Sequence, residues 1–156
     1  MQNKAAEILA LGQVEAVCGI GLALLRKSER DGIIALTVPE QHFYSIYRLD
    51  MDVNNGGFYS YFTNTAGDLA GVALAGLPRV GALHIHSLLQ RAAAVFPGGV
   101  VPKSQGEREV FLGPTDRFKN TFAPLDTEYY DSDEPVIALV LAYAKKHIAD
   151  FQVEGF

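Results

Sequence analysis

"NNGGFYSYFTNT", residues 54–65, sets two amides and two glycines ahead of four aromatic rings in five positions. Asn54-Asn55-Gly56-Gly57 is the strongest chain-reversal signal in the sequence, because asparagine and glycine tolerate positive φ and can close a helix with a left-handed residue. An Asn-Gly hairpin would need alternating apolar and polar residues on both sides. Instead Phe43, Ile46, Tyr47 and Val53 recur with helical spacing before the turn, and Phe58, Tyr61 and Phe62 follow it at i, i+3 and i+4. Two helices are therefore expected to meet here, with Gly56 or Gly57 at positive φ. The three rings share one helix face, which reads as core rather than ligand cage.

Helix signals continue upstream. Thr37-Val38-Pro39-Glu40 is a helix start, with Pro39 near the first position and an acid in the first turn. Ile33 to Val38 reads as a short strand or an apolar loop, and it has no strand-like partner elsewhere. Before it, Ile8, Leu11, Glu15, Cys18 and Leu22 keep helical spacing, which predicts one long first helix softened at Gly19 and Gly21.

Downstream, Asn64 to Asp68 repeats the turn logic. Asp68 is expected to cap a helix from Leu69 to Leu77 that Pro78 stops. Gly81 opens the next helix, in which Leu83, Leu88, Leu89 and Ala92 line one face before Phe96-Pro97-Gly98-Gly99. From Val100 to Pro124 the chain loosens, with helical turns predicted at Glu107–Leu112 and Asp116–Phe122. Leu125 to Tyr130 forms another short helix, and Asp133 or Glu134 with Pro135 starts the last one. The expectation is an all-α single domain over residues 1–156, with about seven or eight helices and short loops.

A length of 156 residues, 49% of them hydrophobic and 20% charged, suits one self-sufficient globular core. The single cysteine, Cys18, has no partner within the chain and lies in an apolar run, so it is expected to be buried in a reducing, cytoplasmic setting. Glu7 and Glu15 interrupt the apolar N-terminal stretch, and the uncharged run from Ala16 to Leu25 is shorter than the ~20 residues a membrane helix needs. No membrane anchor is expected. The net charge of −5 argues against direct nucleic-acid binding and favours a basic partner.

Signals of catalysis are absent from the pattern: no G-x-S-x-G, no phosphate loop, no dinucleotide fingerprint. On a helix, His84 and His86 point about 200° apart at ~3.6 residues per turn, so they do not share a metal ion easily. His42 and His147 are isolated in sequence. No enzyme activity, cofactor or metal is expected. One alternative stays open, a polar pocket at the turn built from Asp50, Asp52, Asn54, Asn55, Tyr59 and Asn64. The competing reading is that these groups satisfy backbone freed at helix ends.

Asn55-Gly56-Gly57-Phe58, the pair Tyr61-Phe62, Asn64 and Gly67-Asp68 resemble the signature of a bacterial family of domains of unknown function named for a DNA-mimic protein. Gly81-Ala82, Ala94-Val95-Phe96-Pro97, Arg108 and Leu125-Asp126-Thr127-Glu128-Tyr129-Tyr130 continue the likeness in register, from about Val38 to Phe151. One departure is Ser60, where the family usually has glutamine. The resemblance implies an all-helical fold, a homodimer, and no recognised catalytic residue or cofactor. It further implies an acidic decoy that presents carboxylates in place of phosphates to a DNA-binding regulator.

The candidate surface for such a role is Asp126, Glu128, Asp131, Asp133 and Glu134, which no Lys or Arg interrupts. A solvated face is the plainer explanation, since charge runs often solubilise or repel. The reading is thus a protein–protein interaction module with an acidic, partner-facing segment. The alternatives are a small-ligand or enzymatic pocket beside the turn, and an immunity-like or adaptor protein that neutralises a basic partner.

Overall fold

A computed structural model describes residues 3–154. Eight α-helices account for most of them: α1 (Lys4–Leu9), α2 (Gln13–Asp31), α3 (Val38–Thr63), α4 (Ala70–Val80), α5 (Leu83–Ala93), α6 (Gln105–Leu112), α7 (Lys119–Tyr130) and α8 (Val136–Lys146). Short 3₁₀ turns join several of them, and no strand occurs among the described residues. The all-α expectation and the helix count hold.

The spine is α3, against which α2, α4, α6, α7 and α8 all pack. It starts as expected. The Thr37 hydroxyl accepts from the Glu40 amide while the Glu40 carboxylate accepts from the Thr37 amide, a reciprocal box that satisfies two otherwise free donors. Glu40 is fully buried and does more than cap, since it also accepts from Lys27 Nζ at 2.8 Å and from the Gln152 amide at 2.7 Å. One carboxylate thereby ties α2, α3 and the C-terminal segment together. A buried acid is tolerable here because both its oxygens are hydrogen-bonded and a lysine pairs with it.

Twenty residues on, the helix breaks where the glycines predict. Gly56 takes φ −158°, ψ 15° and Gly57 φ 76°, ψ −174°, after which helix resumes at Phe58. Phe58, Tyr61 and Phe62 are wholly buried. Phe62 meets Phe96 edge-on at 5.1 Å and Phe58 meets Tyr129 edge-on at 6.0 Å, so the rings are core as their spacing implied.

Several local expectations gave way to tertiary structure. The predicted first helix is two, parted at Ala10–Gly12 rather than softened at Gly19. Its apolar run is also two-faced: Val17, Ile20 and Leu24 are buried, whereas Val14, Cys18 and Leu22 point outward. Cys18 is therefore exposed, not buried. Ile33–Ala35 is a 3₁₀ turn, and only Leu36 of that segment enters the core. Pro78 lies inside α4 near its end without stopping it, and Gly81, at φ 86°, closes the helix instead of opening the next. Lys119–Tyr130 is one helix running through Pro124, where two shorter turns were expected.

Candidate functional site

The turn in α3 is locked from α7. Asp126 Oδ1 accepts from the Phe58 amide at 2.9 Å, capping the helix where it restarts. The carboxylate sits so close that a Cβ on Gly57 would lie 2.5 Å from its Oδ2. Glycine is thus required at position 57 both by its dihedral angles and by its neighbour. Asn55 and Gly56 are exposed, and Asn54 folds back to donate to its own helix at the Asp50 carbonyl.

The rest of the motif, Asn64 and Gly67-Asp68, surrounds an arginine from α6. Arg108 is fully buried and has five N–H donors. Nε donates to the Phe62 carbonyl, Nη1 to the carbonyls of Pro102 and Lys103, and Nη2 to the Asn64 carbonyl and to Asp68 Oδ1 at 2.6 Å. All five donors are used. Gly67 lies against the guanidinium, where a Cβ would be 2.8 Å from Nε and 2.9 Å from the Tyr61 carbonyl. Asp68 therefore pairs with Arg108 and does not cap α4, which carries no side-chain cap.

The five candidate acids divide into two kinds. Asp126 is engaged with the turn. Glu128 holds Arg91 in a two-pronged pair at 2.8 and 2.9 Å, which keeps its carboxyl below the usual range. Glu134 accepts from the amides of His84 and Ile85 at 3.0 and 2.9 Å, so it caps the start of α5, not the last helix. The last helix has no side-chain cap. Asp131 and Asp133 are exposed and have no ion-pair partner among the described residues. Together with His84, Glu128 and Glu134 they line an open cleft of about 450 Å³ at the junction of α7, α8 and α5.

The polar residues of the alternative pocket do not converge. Tyr129 and Asn54 donate to Asp50 Oδ1 at 2.7 and 3.1 Å, Asn64 reaches Asp52 at 3.4 Å, and Tyr59 turns away to the Gly113 carbonyl at 3.0 Å. Burial raises the carboxyls of Asp50, Asp52 and Asp126 above the usual range, with hydrogen bonds to each partly offsetting it. A different cleft of about 400 Å³ lies beside the turn, lined by Tyr59, Asp116, Lys119, Phe122 and Asp126 among others. Among the described residues no three His, Cys, Asp or Glu side chains converge as a metal-binding set. No helix there is long and apolar enough to cross a membrane.

Sequence separation hid one further group. His42 Nδ1 lies 2.9 Å from the Tyr143 hydroxyl, and the Tyr143 and His147 rings are 4.4 Å apart, so two histidines 105 positions apart flank one tyrosine. Tyr143 on α8 and His147 at its C-cap, four positions apart, were the available sequence signal; His42 had none.

No curated protein and no solved structure matches the chain. A family model described as DMP19-like protein matches residues 34–147, a span that contains α3 to α8, the glycine turn, the Arg108 cage and all five candidate acids. The chain belongs to the DMP19-like protein family.

Proposed function

We propose that this protein is a protein–protein interaction module whose acidic face, at the junction of α7, α8 and α5, engages a basic nucleic-acid-binding regulator as a decoy for DNA. Membership of a DNA-mimic family supports the role. The observation that carries it is the pair Asp131 and Asp133, exposed and unneutralised on the rim of a 450 Å³ cleft whose lining includes two more carboxylates. Carboxylates accept charge-assisted, two-pronged hydrogen bonds from arginine much as phosphates do, and the Arg91–Glu128 pair is an intrachain example of that grip. The reading involves no catalytic step and no cofactor.

The test is capture of DNA-binding proteins from the host's lysate, followed by binding of the purified partner at graded salt. Association should weaken as salt rises, because exposed charges are screened over a Debye length of ~8 Å at physiological ionic strength. Duplex DNA should displace the protein from its partner, and Asp131→Asn with Asp133→Asn should slow association while leaving the melting temperature unchanged. Equal binding by the doubly neutralised variant, or no competition from DNA, rules the decoy out.

The proposal includes pairing of two copies. It is supported by the outward stripe Val14, Cys18 and Leu22 on α2, at i, i+4 and i+8. Sedimentation at micromolar concentration should find a dimer that Val14→Glu with Leu22→Glu dissociates; a 16.9 kDa species alone in the unaltered protein ends this part.

A further inference from the structure

The two helices α4 and α8 bring cations to one place. Arg79 sits in the closing turn of α4, and Lys146 and His147 at the close of α8; with Tyr143 and apolar Val80 and Leu139 they line a cleft of about 230 Å³. Behind Tyr143, His42 lies 2.9 Å from its hydroxyl. Gly76 makes the room for this imidazole, since a Cβ there would fall 3.0 Å from His42 Cβ and Cγ.

A cation at a helix C-terminus has an ordinary explanation in the helix dipole. That explanation covers each residue separately and not their convergence, which brings like charges together. Neither Arg79 nor Lys146 has an ion-pair partner among the described residues. Among the described residues the group's one ion-pair contact is Asp150, 3.8 Å from His147 Nδ1 and itself half exposed. Burial, then Arg79, then His147, push the His42 imidazole below its ordinary range, in keeping with a local positive field. In a chain with 18 acids and 13 bases, the meeting in one cleft of two cations without ion-pair partners is not what charge balancing produces.

We infer that the Arg79–Tyr143–Lys146–His147 cleft is an anion site that takes a phosphate dianion, free or as a small monoester. A guanidinium fork and an ammonium from separate helices suit several oxygens of one tetrahedral anion, and the imidazole and phenol add polar partners. The volume is below the ~300 Å³ at which sites for drug-sized ligands begin, which fits a phosphate group with a small substituent. The site is distinct from the acidic face: the two lie at opposite ends of α8, about 16 Å apart for a helix of 11 residues.

The experiment is a titration of the ¹⁵N-labelled protein with inorganic phosphate and, separately, with methyl phosphate, with sodium chloride at matched ionic strength as control. Saturable shifts of the Arg79, Tyr143 and His147 amides are expected with phosphate and not with chloride. Arg79→Gln and Lys146→Gln, both exposed positions, should each weaken binding by about fivefold, the upper end for an exposed ion pair. Saturation by either anion supports the site, and the tighter of the two identifies the source. Shifts that never saturate, that chloride reproduces, or that persist unweakened in both variants overturn it.

Discussion

Asp126, on α7, holds the amide of Phe58, on α3, at 2.9 Å across 68 positions of sequence. This single contact makes the glycine turn a tertiary feature. The φ 76°, ψ −174° of Gly57 belong to a region that essentially only glycine occupies, at about 1–3 kcal/mol for any other residue. A methyl group there would also displace the carboxylate that caps Phe58. Gly57→Ala should therefore destabilise by at least about 1 kcal/mol in urea unfolding. An unchanged midpoint would refute the account of the turn.

Arg108 should not tolerate even lysine. Its five N–H groups meet five acceptors in a site without solvent, and lysine offers three donors from a single point. At least two acceptors would be left unpaired. The expected loss for Arg108→Lys is about 2–6 kcal/mol, at roughly 1–3 kcal/mol for each buried acceptor left unpaired. A thermal melt within a degree of the unaltered protein would contradict it.

These two sites mark where sequence reading succeeded and where it stopped. The aromatic face and the helix start at Thr37 were legible because each is decided by residues within one or two helical turns; the break at the glycines was legible from its own residues, but Asp126, which holds it, was not. Asp68 and Glu134 were read as caps of the helices that follow them, which is what local geometry favours. Partners 40 and 50 positions away took them instead: Arg108 for Asp68, and the open amides of α5 for Glu134. Of the five acids, only Asp131 and Asp133 remain free of such work, and composition could not separate them from the rest. Cys18 was misread for another reason: the stretch is apolar on both faces of α2, so hydrophobicity alone does not say which face is covered.

Asp50 gives a pH signature. Its folded-state carboxyl titrates above the ordinary range because it is buried, so the folded chain holds that proton more tightly than the unfolded chain. Stability from this group is fully present below the unfolded value of about 3.9 and is lost as pH rises through the raised folded value. Tyr129 and Asn54 both donate to Oδ1, which an amide oxygen can replace. Asp50→Asn should thus melt higher than the unaltered protein at pH 7, by a few degrees at most, since 1 kcal/mol is worth about 2–4 °C in a chain of this size. The gap should close as pH falls toward 4. A variant that melts lower at pH 7 would mean the ionised form is the one the fold prefers.

Arg91 separates a working acidic face from a merely solvated one. Its guanidinium occupies both oxygens of Glu128, on the same cleft as Asp131 and Asp133, and so competes with any arginine a partner would insert. Both side chains are about half exposed, and such pairs contribute only about 0–1 kcal/mol to stability. Arg91→Gln should accordingly leave the melting temperature nearly unchanged while freeing a carboxylate and making the face one charge more negative. If the face binds a basic regulator, association should become faster and more sensitive to salt, the reverse of the effect of neutralising Asp131 and Asp133. Adding Glu128→Gln to Arg91→Gln should cancel the gain, because the benefit resides in the released carboxylate. Stopped-flow association at two salt concentrations measures all three proteins. No change in rate for Arg91→Gln, or a gain that survives the second substitution, would place the partner elsewhere on the molecule.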